Sequence, residues 1–211
     1  TLHRLPELLF AVQGHLMLNV GFVNTDPHPG NIMLLDDGRL GLIDWGQVKR
    51  VSAEQRCVLS RTILAVADGD EILAAQGMRA MGMRTRNDWD WTYSRQAHFF
   101  LGSWFDQEVL ELGGAVQFED NINKVDKILE GVGDLMMCMR NQIFTRQALV
   151  MLGFPRVNSS VALRADAVAC LQRQGRQVPQ TVKRRAPVPE RARSVLGIGS
   201  REARPSSSGQ R

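Results

Sequence analysis

Between Asn24 and Gly46 the chain orders stiff and turn-forming residues in a way that leaves few folds open to it. Asn24-Thr25-Asp26-Pro27-His28-Pro29-Gly30-Asn31 cannot continue a helix, because its two prolines lack amide donors and Gly30 favours open backbone. Ile32-Met33-Leu34-Leu35 and Leu40-Gly41-Leu42-Ile43 then flank the turn Asp36-Asp37-Gly38-Arg39. Two short apolar runs around an Asp-Gly turn predict a β-hairpin. Asp44-Trp45-Gly46 stands at its exit. Upstream, Leu5, Leu8, Leu9, Val12, Leu16 and Val20 recur at intervals of three and four, with Pro6 in the first turn. That spacing predicts an amphipathic helix ended by Gly21.

Beyond the hairpin the pattern is helical. Ser52-Ala53-Glu54-Gln55 is a capping box opening a helix to about Ala67, and Asp70 or Glu71 starts another through Met78. Asn87-Asp88 is expected to cap a third that carries Trp89, Trp91, Phe99, Phe100, Trp104 and Phe105. Gly113-Gly114 breaks the pattern, and further helices are expected over about 118–129, 134–152 and 159–172. The predicted fold class is therefore mainly α with a small β-hairpin. Residues 1–174 are read as one unit. From 175 to 211 Pro, Ser, Gly and Arg dominate without periodicity, and that segment is expected to be a basic, disordered tail.

Charge follows the same division. The sequence pI is about 9.3, yet residues 173–211 hold ten Lys/Arg against two Asp/Glu, which leaves the preceding 172 residues slightly acidic. A uniform basic face that tracks a phosphate backbone is not indicated, so no nucleic-acid partner is expected. Cys57, Cys138 and Cys170 are odd in number and lack C-x-x-C spacing, which suggests neither a zinc site nor a disulfide framework. No apolar run approaches the ~20 residues that span a bilayer.

The chemistry lies in the same stretch as the hairpin. Phosphoryl transfer needs a carboxylate to orient or deprotonate the attacking hydroxyl, and oxygen donors for the divalent metal on the nucleotide phosphates. Asp26 supplies the first, while Asn31 and Asp44, at opposite ends of the two hairpin strands, supply the second. Magnesium prefers hard oxygen ligands and few protein groups, so an Asn plus an Asp is a fitting protein share. Singly, such residues are turn formers and strand caps; jointly, with a Gly after the second Asp, they form a far more specific pattern.

This stretch resembles the catalytic and metal-binding segment of the UbiB family of atypical kinases, whose signature is matched by Asp26-Pro27-His28-Pro29-Gly30-Asn31 followed by Leu42-Ile43-Asp44-Trp45-Gly46. The resemblance implies the C-terminal lobe of a protein-kinase-like fold without its N-terminal lobe, in an atypical kinase or ATPase that uses ATP and Mg. It places the catalytic carboxylate at Asp26 and the nucleotide- and metal-binding positions at Asn31 and Asp44. It also implies a setting in isoprenoid-quinone biosynthesis, a prenyl-lipid or membrane surface as partner, and a mitochondrion or plastid as the address in a eukaryote. The sequence departs from the family at Asn24-Thr25, where His-Ala or similar is usual, and at Trp45, where Phe is commoner. The nucleotide loop and strand lysine belong upstream of Thr1, so this piece alone is expected not to turn over ATP. Oligomeric state cannot be read.

His28, two residues after Asp26, is a second catalytic candidate that could reach the transferring phosphoryl group; the plainer role is to pin the loop. Gln47, Lys49 and Arg50 could face phosphates or simply be solvated, and Lys183-Arg184-Arg185 could meet anionic lipid or be plain solvated tail. The Trp/Phe set from Trp89 to Phe105 reads as core, and Met136, Met137, Cys138 and Met139 as packing. From Asp44 to Ser52 there are only a few residues, with none of the long segment that supports a peptide substrate in protein kinases. A small-molecule or lipid-linked acceptor, or ATP hydrolysis, is favoured. Two alternatives remain: a small-molecule phosphotransferase resembling the aminoglycoside and choline kinases, and a catalytically inactive binding module.

Overall fold

A computed structural model describes residues 2–198 and is mainly helical with three small antiparallel strand pairs. The first helix, α1 (Leu5–Gly14), runs on as a π-helical turn over His15–Val20. Gly21 ends it with φ 92°, its N–H donating to Leu16 O at 2.8 Å. A Cβ there would lie 2.9 Å from Val51 O, so both the dihedral and the close approach require glycine.

The predicted hairpin is β2 (Ile32–Leu34) with β3 (Leu40–Leu42), in register Ile32↔Leu42. It is nested inside a second pair, β1 (Phe22–Asn24) with β4 (Val48–Arg50), which the sequence reading did not anticipate. Three-residue strands some twenty residues apart carry too little local pattern to be seen.

The helices follow. α2 (Ala53–Asp68) opens on Ser52 with both capping-box hydrogen bonds formed, and α3 (Glu71–Ala80) on Asp70, which accepts from Leu73 N at 3.1 Å. After β5 (Arg84–Thr85) comes α4 (Asp90–Leu101), shorter than expected at both ends. Asp88 has a left-handed backbone, φ 54°, which delays the start, and Gly102 leaves helical geometry three residues before Phe105. Short α5 (Gln107–Leu110) leads to α6 (Gly114–Val125), so the Gly pair opens this helix. β6 (Ile128–Glu130) pairs with β5 where a helix end was expected. α7 (Met136–Met151), α8 (Ser159–Ala162), α9 (Arg164–Arg173) and α10 (Glu190–Leu196) complete the order.

The main core joins α1, α2, α3, α4, α7 and α9 through Leu9, Phe10, Leu59, Ile63, Met78, Tyr93, Met139 and Leu171. A second cluster gathers Trp91, Val109, Phe118 and Ile122. Phe99 stacks on Phe118 with ring centres 4.3 Å apart, whereas Phe105 is exposed, so the aromatic set is core only in part.

The disorder expected from Gly175 onward does not hold as far as Ile198. Ala186 and Ala192 fill the second cluster, and Arg184 donates to buried Asp70 through Nε at 2.9 Å and Nη2 at 2.6 Å. Arg185 bridges Glu71 at 2.6 Å and also meets Glu108, while Ala186 N donates to Glu71 at 2.8 Å. Composition misleads here because the segment's arginines and its few apolar residues meet partners distant in sequence, buried carboxylates and the second core cluster. Residues 199–211, the rest of that expected tail, lie outside the described residues. Among the described residues, no helix is long and apolar enough to cross a membrane.

Candidate functional site

The loop between β1 and β2 and the exit of β3 meet at one end of the molecule. Ile43 N donates to Asn31 O at 3.0 Å, extending the hairpin register by one pair and placing Asn31 beside the residue before Asp44. Asp26 is joined to Asp44 by Asn24, whose side chain accepts from Asp26 N at 2.9 Å and donates to Asp44 O at 3.3 Å. Asn24 is buried, and its own carbonyl accepts from Asn141 Nδ2 of α7 at 2.7 Å. Thr25 N donates to Gln47 O at 2.9 Å, closing the loop against the end of the second strand pair. The structure thus brings Asp26, Asn31 and Asp44 onto one hydrogen-bonded frame. Sequence reading missed Asn24 as its tie; the signal was its departure from the residue usual there.

Each side chain keeps capacity for a ligand. Asn31 donates its amide to Asp26 O at 3.4 Å, which leaves Oδ1 free of any hydrogen bond among the described residues. Asp44 is exposed and accepts from Gly46 N through Oδ1 at 3.0 Å, with its other oxygen free in the same sense. Its backbone is left-handed, φ 61°, a conformation Asp tolerates better than most residues but still at some cost. A Cβ at Gly46 would lie 3.0 Å from Asp44 Oδ1, so a larger residue there would push the carboxylate by a few tenths of an ångström.

Two hard oxygen donors on a solvent-open edge fit magnesium, which keeps several waters and takes few protein ligands. Among the described residues no cluster of three or more His, Cys, Asp or Glu could hold a metal ion. The oxygen donors that Asn31 and Asp44 present at this edge are an amide and a carboxylate.

His28 is exposed, and its Nδ1 accepts from Gly30 N at 3.1 Å, capping the 3-10 turn Pro29–Asn31. A neutral ring used this way carries its proton on Nε2. The same histidine therefore pins the loop and keeps a donor free. Asp26, His28 and Pro29 also wall a cavity of about 260 Å³ whose far side is α7. Of the other candidates, Lys49 pairs with Asp134 and Arg50 lies 4.8 Å from the Phe22 ring centre. Arg184 and Arg185 are committed to Asp70, Glu71 and Glu108. Buried Cys138 is pushed up to about 12 by desolvation, which makes it a packing thiol.

Residues 2–77 match the family model described as the ABC1 atypical kinase-like domain. An uncharacterized protein of Synechocystis is 50% identical over 72 residues, 34% of this chain and 18% of that protein. The chloroplastic ACTIVITY OF BC1 COMPLEX KINASE 8 of Arabidopsis thaliana is 35% identical over 98 residues, 44% of this chain and 13% of the relative. The chloroplastic ACTIVITY OF BC1 COMPLEX KINASE 1 of the same plant is 33% identical over 54 residues, 26% and 8% of the two chains. The chain therefore spans less than a fifth of the length of the curated relatives it matches. No solved structure matches.

Proposed function

We propose, for a chain whose residues 2–77 belong to the ABC1 atypical kinase-like family, that it supplies the phosphoryl-transfer end of an ATP- and Mg-using kinase or ATPase. The observation that carries this reading is the frame in which Asn24 ties Asp26 to Asp44 while the hairpin register sets Asn31 beside them. Asn31 Oδ1 and the Asp44 carboxylate would hold Mg, which supplies charge neutralisation at the nucleotide phosphates when bound. Asp26 orients the attacking hydroxyl and takes its proton. That oxygen bonds to the γ-phosphorus of ATP, the bond from that phosphorus to the bridging oxygen breaks, and ADP leaves; with water as acceptor the outcome is ATP hydrolysis. His28, through Nε2–H, donates to the phosphoryl oxygens.

The setting we favour is isoprenoid-quinone lipid metabolism or its regulation, in a plastid. The plastid part is supported by Arabidopsis relatives named as chloroplastic kinases. The lipid part is supported by the motif resemblance. The test is Mg-dependent nucleotide binding by the protein and its Asp44→Asn variant, with Mn as a paramagnetic probe. Broadening centred on Asn31 and Asp44 that the substitution removes is the expected result. Broadening elsewhere, or unchanged affinity in the variant, overturns the assignment.

A further inference from the structure

Behind the loop that carries Asp26 lies a line of buried amides: Asn24 of β1, Gln13 of α1, and Asn141 and Gln142 of α7. The strand pair shows why one of them is needed. Thr25 N bonds to Gln47 O and Val51 N to Gly21 O, so the alternation of an antiparallel pair turns the Asn24 carbonyl away from β4. Turned outward, it accepts from Asn141 Nδ2 at 2.7 Å. The same Nδ2 donates to Gln13 Oε1 at 3.0 Å, and Asn141 Oδ1 accepts from Gln142 Nε2 at 2.9 Å. A backbone carbonyl can only accept, so the Asn24 carbonyl fixes which way round the Asn141 amide sits. The Asn24 side chain is fixed by the same logic. Its Oδ1 takes the Asp26 N–H, which can only donate, and its Nδ2 serves the Asp44 carbonyl, which can only accept. The line therefore has one direction, from the contact of α1 with α7 to both site aspartates.

We infer that Asn141, with Gln13 behind it, is a positioning residue for Asp26 and Asp44. It bonds to neither aspartate and acts through Asn24. Holding the Asn24 carbonyl fixes the peptide plane that leads into Thr25 and Asp26, and with it the reach of the Asn24 side chain. Packing alone would favour apolar side chains here, because a buried amide offsets its desolvation only through hydrogen bonds of fixed direction. Met139 and Leu149 seat α7 in the main core, so the hold comes from a rigid element rather than from a loop. The consequence for metal binding rests on the roles proposed for Asp26 and Asp44; the hold on the loop does not.

Amide hydrogen exchange of the full chain, without metal or nucleotide, reads the hold directly. Asn141→Leu should speed exchange at Asp26 about tenfold relative to Val51, on the scale of one buried hydrogen bond lost. Val51 N lies in the same strand pair but outside the line, so a mere loss of global stability would speed both alike. Gln13→Leu leaves the bond from Asn141 to Asn24 in place. It should act in the same sense but more weakly, and it serves if Asn141→Leu does not fold. Thr145→Val is the control: Thr145 is as buried as Asn141, one turn further along α7, and its hydroxyl has no partner among the described residues. That variant should keep the parent's ratio. A second arm measures Mg-dependent ATP binding, which Asn141→Leu should weaken about tenfold. An Asp26 ratio that neither Asn141→Leu nor Gln13→Leu raises, or that Thr145→Val raises as much, overturns the inference and makes the amides packing. So does a parent that binds Mg and ATP no better than Asn141→Leu. If the ratio rises while Mn leaves Asn31 and Asp44 of the parent unbroadened, the hold on the loop stands and the metal assignment fails.

Discussion

The two ends of this molecule treat their carboxylates in opposite ways. At the hairpin end Asp44 is exposed, Asp26 is half-buried, and each keeps capacity for a ligand. At the far end Asp70, Glu71 and Asp126 are almost fully buried and saturated with donors. Glu71 takes Arg185, Arg95 at 3.2 Å and the Ala186 amide, while Asp126 takes Thr85, Thr92 and two donors from Asn87. A carboxylate with a full set of partners has its energy committed to the fold. One left open on a fixed frame can meet a ligand without rearrangement. The same side chain is thus a staple at one end and a candidate reagent at the other, and exposure with unused lone pairs separates the two.

The sharpest way to break that contrast is to open the staple. Glu71→Gln would leave the Arg95 guanidinium, only 3% exposed, with Glu111 at 3.3 Å as its remaining ion pair among the described residues. Removing one partner of a buried ion pair costs about 3–5 kcal/mol, and for a chain of this size that lowers Tm by roughly 10 °C. Calorimetry should find that loss, with Mn broadening at Asn31 intact below the transition. Next in size is Asp44→Asn. It should weaken Mg-dependent nucleotide binding about 100-fold, near the ~3 kcal/mol of one preorganised electrostatic group, while Tm stays within a degree or two. A large Tm fall would show that Asp44 is a staple as well.

Asn24 does not obey the division, which makes it the most informative residue to change. It is 3% exposed like a staple, yet both groups it serves belong to the site. Asn24→Leu should cost stability by about 1–3 kcal/mol, the scale of leaving buried partners unsatisfied. It should also weaken Mg-dependent nucleotide binding by freeing Asp44 to move. Loss of stability with unchanged metal affinity would demote it to packing.

How much of this was legible in the sequence follows from the range over which each signal acts. The capping box at Ser52 and Gln55, the Asp70 cap and the Asp36–Arg39 turn are written within four residues, and the structure has them. The loop from Asp26 to Asn31 and the exit at Asp44 were readable because their spacing is itself the signal. The pairing of β1 with β4 and the docking of residues 182–186 were not. The first spans short strands with a hairpin between them, and the second joins groups more than a hundred residues apart. Local pattern cannot carry either. An Arg-rich segment with little apolar bulk reads as solvated until its buried partners are known.

The smallest expected effect concerns acid, and it tests the staples of the far end. Burial alone would raise Asp70, but the hydrogen bonds from Arg184 and from the Leu73 and Val182 amides outweigh it and hold the carboxyl below its ordinary 3.8. Asp68 and Glu108 are held down in the same way, by Arg164 and Thr181 in one case and chiefly by His98 in the other. A carboxyl depressed in the folded state adds stability that is complete above its unfolded value and disappears as pH falls through the folded one. Asp166, pushed up by burial beside Asn19, acts in the opposite sense and partly offsets them. Tm should therefore fall between about pH 5 and pH 2, the range over which such carboxyls protonate. Asp70→Asn should start lower and fall less steeply. If Asp70→Asn keeps the full slope of the parent, its bonds to Arg184 and to the Leu73 and Val182 amides are not what staples residues 182–186 to the fold, and the contrast between the two ends collapses.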